Sequence, residues 1–488
     1  MGSHPIGFHA DEASIGYDAY SILKTGRDQY GEFLPLFARS FGDYDEALHR
    51  YLVVPFVAVL GLNEWAVRLP NALLGILTVW AFYGMVQVWF DRRVALVAAL
   101  FLAISPWHIQ FSRWGIRIIL LPLLCCWGMH LFLKGMKNPR YLIGCALIFG
   151  VGLHTYQAAR VFVPLFVLGL AALHWRVLWQ HRGMAALSGG IFLAIFGYLF
   201  SFWIAPEGMA RAQSELETHP LSILIYYLSY FSPGFLFFSG DPNLRHSLIG
   251  MGQLHHFELM TVLCGIWGLW RKGGGDGRIV WLWLLLYPIP AALTDMSHSV
   301  RAIAGVPVLA LLSGYGCCVV ADWLGTERER RIFWQGTVLV AAVSVLVYCK
   351  LFYVDYPNYS AKWWQYGMQE AIAVAEQQEH PVIISDRTYS FPAYIFVLFY
   401  TRFDPEAYQK LPLDLRQELW RYTRTPLQKY YNLGLQTFVS RGRTCLLMLL
   451  PEEMVDLVQK GYDQKDVHTI YDPSGKVMMR LVEVTGDR

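Results

Sequence analysis

Two adjacent carboxylates, Asp11 and Glu12, open the stretch HADEASIGYDAYSILKTGRDQYG, whose apolar residues recur at helical spacing. As a structural feature the pair would sit at a helix N-terminus, where Asp caps well and acids favour the first turn. As chemistry, a carboxylate held at a membrane surface, in lowered dielectric, can act as a general base. The groups that could work with it are cationic. Arg113 and Arg117 lie in SPWHIQFSRWGIR, Arg160 ends HTYQAAR, Arg245 and His246 end GDPNLRH, and His298 and Arg301 lie in TDMSHSVR. Each arginine by itself reads as a side chain snorkelling to an interface, and the DPN run as a turn. Taken together they suit another purpose, because the guanidinium fork matches phosphate. A carboxylate base with an arginine-lined, membrane-level cavity is what a lipid-phosphate substrate would need.

The elements that must position these residues are membrane helices. The chain has 488 residues, 55% hydrophobic and 16% charged, with mean hydropathy +0.34. Soluble domains carry about 25% charged residues. The 15% aromatic content excludes a disordered chain, and a net charge of +3 without a basic stripe speaks against a nucleic-acid partner. Residues 69–90, 94–112, 141–159, 184–205 and 302–321 contain no Asp, Glu, Lys or Arg. Each is close to the roughly 20 residues a spanning helix needs. Shorter windows at 118–133, 161–175, 259–270, 279–294 and 332–349 bring the expected number of spans to about ten. Seven of the eight cysteines fall inside these windows and no CxxC occurs, so they read as small apolar side chains. No ligand spacing points to a metal; a divalent cation is allowed but not required.

One set of short loops carries 13 basic residues, among them Arg92, Arg93, Arg328, Arg330 and Arg331; the alternating set carries 4. The positive-inside rule places the first set in the cytoplasm. The expected organisation is then an extracytoplasmic segment at 1–68, with amphipathic stretches Tyr17–Lys24 and Tyr51–Leu62. A transmembrane bundle follows at 69–352, with a long outer loop at 206–256. An extracytoplasmic α/β domain ends the chain at 353–488. Its apolar runs at 381–385, 444–450 and 476–484 read as strands, and its patterns at 363–377, 392–400, 405–423 and 451–460 as helices. Residues 221–240 also lack charge; we read them as a pair of short interfacial helices broken at SPG, since a crossing there would flip RKGGGDGR and TERERR to the outside. The fold class is thus a mainly α, polytopic membrane protein with a small α/β outer domain.

The run DEASIGYDAYSILKTGRDQYG, followed by YLVVPFVAVLGLNEWAVRLPNALLGILTVW, resembles the first outer loop and following helix of C-type-fold integral-membrane glycosyltransferases. The likeness is to the protein O-mannosyltransferase and aminoarabinose transferase branch, with its acidic pair and its G-x-N-E-x-x-x-R-L-P helix opening, here Gly61 to Pro70. The resemblance implies a donor made of a monosaccharide on polyprenyl phosphate and a glycolipid, glycan or protein acceptor. It also implies an active site on the extracytoplasmic side of a bacterial inner membrane. In this reading Asp11 is the base that deprotonates the acceptor and Glu12 orients it, with inversion at the sugar. The leaving phosphate needs positive charge, for which Arg301, Arg160, Arg117 and Arg245 are the candidates. Arg113, His246, His298 and Tyr17 are further contacts to acceptor or donor. No nucleotide or other cofactor is required. The resemblance also implies a membrane helix ahead of the acidic pair; MGSHPIGFHA is too short to span, so that first helix is expected to be absent. The aminoarabinose branch carries Lys-Pro-Pro in this loop, whereas DEALHRY has no lysine, which argues against a lipid A acceptor; Arg50 is the available substitute cation. A ligase or polymerase of lipid-linked glycans and a multi-pass transporter or flippase are the rival readings. Transporters place charge in mid-membrane, while the ionisable residues here gather at one face.

Overall fold

The computed structural model describes residues 5–205, 208, 215–272, 275–385, 393–411, 429–433, 444–459 and 463–485. The chain divides into two compact units, Met1–Pro70 with Tyr353–Arg488, and Asn71–Phe352. The three parts expected from sequence are therefore two, because the first segment and the C-terminal region share one core. Ala10 N donates to Gln365 Oε1 at 2.7 Å, Tyr17 Oη donates to the Phe403 carbonyl at 3.0 Å, and a side chain at Gly16 would meet the Phe399 ring.

In this unit the helix Ala10–Thr25 ends at Gly26, whose φ of 70° makes the left-handed cap. Strands β1 (Phe37–Ser40) and β2 (Asp43–Glu46) form a hairpin that the sequence reading did not anticipate. Its two-residue turn holds Phe41 at φ 50° and Gly42 at φ 84°, the positive pair that tight hairpins need. The helix Leu48–Leu60 follows and ends at Gly61 (φ 76°). Beyond it come β3 (Val382–Ser385), β4 (Tyr430–Leu433), β5 (Thr444–Leu449), β6 (Asp463–Tyr471) and β7 (Val477–Thr485), in the order β4-β3-β5-β7-β6. β3 runs parallel to β4 and β5, while β7 is antiparallel to β5 and β6. Ile383, Leu447, Leu457 and Val482 centre the hydrophobic cluster of this sheet. The helices expected at 363–377, 392–400 and 451–460 are observed as Met368–Glu376, Tyr394–Tyr400 and Glu453–Gln459. Of the pattern at 405–423 the helix Pro405–Gln409 is seen, and 412–423 lies outside the described residues.

All ten apolar windows of the second unit contain helix. Among the described residues five helices are long and apolar enough to cross a membrane: Glu64–Trp89, Arg117–Gly135, Arg182–Trp203, Gly305–Trp323 and Glu327–Trp364. Tyr141–Gly152, Ala159–Leu173 and Gly277–Ala292 are apolar but shorter. The window at 94–112 is not one straight span. Asp91 caps Arg92–Ile104, and Ser105 caps a new helix, Pro106–Arg113, bent away by 56°. Pro106 causes the break, because its ring removes a backbone donor and suits a first helical turn. Within 221–240 the helix Pro220–Ser229 has ten residues, about 15 Å of rise against roughly 30 Å of hydrocarbon, and a separate wide turn covers Gly234–Phe238. Gly305–Trp323 is the central helix, with Gly316 against the Thr261 carbonyl and Gly314 against the Ala98 backbone; a Cβ at either would collide. Small residues of this kind let membrane helices approach where no hydrophobic force drives them together.

Candidate active site

The acidic pair splits into two roles. His9, not Asp11, is the N-cap of the first helix; its Nδ1 accepts from Asp11 N at 3.2 Å. Glu12 closes the capping box by accepting from His9 N at 3.1 Å. The Glu12 side chain is fully buried and bound fork to fork by Arg68, Nε to Oε1 at 2.7 Å and Nη2 to Oε2 at 2.8 Å. Arg68 also donates to the carbonyls of Pro5 and Gly7 and lies over the Phe8 ring. This explains the helix-opening motif residue by residue. Gly61 ends one helix, Asn63 accepts from Ala66 N at 3.0 Å to start the next, Glu64 accepts from Tyr400 Oη at 2.9 Å, and Arg68 clamps the acidic loop. Asp11, by contrast, keeps 39% of its side chain exposed, with His9 Nδ1 3.3 Å from Oδ2. Of the pair, Asp11 is the carboxylate left partly exposed, and Glu12 is held in the core.

Two other expectations in this unit are corrected. Tyr17 is no substrate contact: it is buried, its hydroxyl is used by Phe403, and its ring packs edge-on to Tyr408. Arg50 is no substitute cation for the Lys-Pro-Pro lysine, because it is buried and donates to Asp18 at 2.7 Å. Beside it Asp28 has its carboxyl pushed up to about 7 by burial and by the charge of Asp18.

Four arginines of the expected outer loops, Arg117, Arg160, Arg245 and Arg301, fall into two groups. The first lines a cavity of about 200 Å³ bounded by Tyr156, Arg160, Glu215, Leu293, Thr294 and Arg301. Arg160 lies over the Trp203 ring at 5.1 Å and donates to the Gly208 carbonyl. Arg301 donates to Glu215 at 2.7 Å. Arg117 lies over Tyr156, a wall residue of the same cavity, at 5.5 Å. Two guanidinium groups thus border a mostly apolar cavity, and Glu215 is the partner of one of them. Glu215 was not singled out from sequence, since an isolated acid in the long loop carries no motif.

The second group surrounds Trp114, with Arg245 stacked at 5.6 Å and His246 at 5.7 Å. Asp241 Oδ2 accepts from His246 Nδ1 (2.8 Å), Ser299 N (2.7 Å) and Ser299 Oγ (2.8 Å). Burial alone would raise the Asp241 carboxyl, but the hydrogen bond and charge of His246, joined by the charge of His298, hold it below the usual carboxylate range. The His246 and His298 rings lie 4.9 Å apart. Trp107 Nε1 donates to the Ser299 carbonyl at 3.2 Å and fixes the segment that leads to Arg301. Arg113 lies over the Phe352 ring at 4.5 Å.

Residues 47–201 match the family described as dolichyl-phosphate-mannose-protein mannosyltransferase. The crystal structure of ArnT from Cupriavidus metallidurans bound to undecaprenyl phosphate aligns over 97% of this chain and 93% of that one, with TM-score 0.60 and 15% identity. The chain shares the fold of that structure. Two Bacillus subtilis (strain 168) proteins are similar in sequence. "Putative mannosyltransferase YycA" is 28% identical over 116 residues, and "Putative mannosyltransferase YkcB" 26% over 113. These matches cover 23% and 22% of this chain and 17% and 16% of the relatives, so this chain matches about a sixth of their length. The fold shared with ArnT is a multi-pass membrane one with a small C-terminal sheet domain, and the acidic first helix and the arginine-bearing loops described above are embedded in it.

Proposed function

We propose that this protein is an inverting glycosyltransferase that moves a monosaccharide from a polyprenyl-phosphate donor to a hydroxyl acceptor. The acceptor is a glycolipid, glycan or protein on the extracytoplasmic face of a bacterial inner membrane. The observation that carries the reading is the cavity between Arg160 and Arg301, in a fold shared with a transferase that binds undecaprenyl phosphate. Asp11 takes the acceptor's hydroxyl proton as its oxygen bonds to the anomeric carbon. The bond from that carbon to the phosphate oxygen breaks, and the electron pair leaves with the polyprenyl phosphate. A single displacement inverts the anomeric centre. The leaving group is already a weak base and needs cations rather than a proton donor, and Arg301 and Arg160 supply them. No nucleotide site is needed, and the sequence contains no Gly-rich phosphate loop.

Binding of polyprenyl phosphate to protein in nanodiscs tests the phosphate role. Arg301→Ala should weaken it about 10- to 100-fold, the worth of losing a hydrogen bond to a charged group. Glu215→Gln should tighten it, because the carboxylate competes with phosphate for Arg301. Unchanged affinity in both variants would remove this cavity as the donor site.

A further inference from the structure

Asp241, His246 and His298 offer ligand atoms that all lie within 4.8 Å of one another. The three come from two loops that the fold brings together, 240–247 and 295–301, and the backbone pins both. Asn243 N donates to Asp241 Oδ1 at 2.8 Å, and His298 N donates to Tyr230 Oη at 3.1 Å. His298 Nδ1 is buried with no hydrogen-bond partner among the described residues. Such a nitrogen costs free energy unless something binds it. We propose that these residues form a divalent transition-metal site of the zinc type, with two imidazoles and one carboxylate as protein donors.

The donor set fits the ion class. Imidazole and carboxylate together suit zinc and its first-row neighbours better than magnesium or calcium, which prefer oxygen. Metal–ligand distances near 2.0–2.2 Å put the donors of one tetrahedral ion roughly 3.5 Å apart. The cluster therefore closes by about an ångström on binding, exchanging the His246–Asp241 hydrogen bond for two bonds to the ion. Charge does not forbid this, since Asp241 supplies one negative charge and Glu215 neutralises Arg301 three residues beyond His298. The ion would tie the loop bearing Arg245 to the segment bearing Arg301. That consequence rests on the donor assignment; the binding of the ion does not.

The test uses full-length, tag-free protein in detergent, treated with chelator, loaded with zinc chloride and desalted. Elemental analysis should find about one zinc per chain. Asp241→Asn and His298→Ala should each lose it while eluting as monodisperse, folded protein. Cobalt loading gives a second readout that does not depend on the variants folding. The wild-type chain should show visible ligand-field absorption with nitrogen ligation. Wild-type protein holding no more metal than the chelated blank, or full retention in the His246→Ala/His298→Ala double variant, would overturn the site. Donor turnover by wild-type protein that takes up no zinc when loaded would overturn the metal proposal alone and leave the transferase reading standing.

Discussion

Asp11→Asn should lower sugar transfer by about 10²- to 10⁴-fold, the usual contribution of a positioned general base. Polyprenyl-phosphate binding should stay within about twofold of wild type, because the substitution keeps shape and removes only the proton acceptor. The half-exposed carboxylate is the reason for the size of the effect: its neighbour Glu12 is fully buried and tied to Arg68, so it cannot take over the role. A phenolic acceptor, whose proton is easier to lose, should suffer less than an alkyl alcohol. The comparison is made by single-turnover kinetics in reconstituted vesicles. Equal losses for both acceptors would assign Asp11 to binding rather than proton transfer.

Arg68→Ala should be the most damaging change to folding. It leaves the Glu12 carboxylate buried without its fork and strands the carbonyls of Pro5 and Gly7. Breaking a buried pair from one side costs about 3–5 kcal/mol, a large fraction of the stability of a typical domain. Arg68→Lys should not restore it, because a point charge cannot make two parallel hydrogen bonds. Combining Arg68→Met with Glu12→Gln should recover much of the loss, as removing both charges removes the penalty. Thermal denaturation of the detergent-solubilised protein, followed by monodispersity, reads this directly. A single Arg68→Ala variant as stable as wild type would show that the clamp does not hold the acidic loop.

The elements most legible in the sequence were those set by composition over long windows. Charge-free runs of about 20 residues become helices wherever they occur, because the backbone polar groups must be satisfied within the segment. Pro106 and the SPG at 232–234 break such runs, since proline opens helices rather than continuing them; the second break was read from the sequence and the first was not. The apolar strands β3, β5 and β7 were readable for the same reason. β6 was not, since DQKDVHTIY carries the polar pattern of an edge strand. The hairpin at 37–46 hid in a polar loop, betrayed only by a single Gly42.

The site was legible as residue types and not as partnerships. The loop arginines announced themselves by standing on the basic-poor set of loops. Which of them share a cavity depends on contacts between loops more than a hundred residues apart, as with Arg160 and Arg301. Tyr17 looked like a contact because it follows the acidic pair, yet helix periodicity turns it into the core with Tyr408. Glu12 and Arg68 are 56 residues apart, and only the fold shows that the acidic pair and the helix-opening motif are one device. The group of Asp241, His246 and His298 has no local ligand spacing because its third member arrives from another loop.

The most direct measurement of the central claim is product analysis with purified wild-type protein in liposomes and a panel of polyprenyl-phosphate monosaccharides. The account predicts that one donor is consumed and leaves polyprenyl phosphate as the lipid product. The sugar should appear on a hydroxyl acceptor with inverted anomeric configuration. Consumption of a nucleotide sugar or a diphosphate-linked oligosaccharide instead, or transfer with retained configuration, would contradict it.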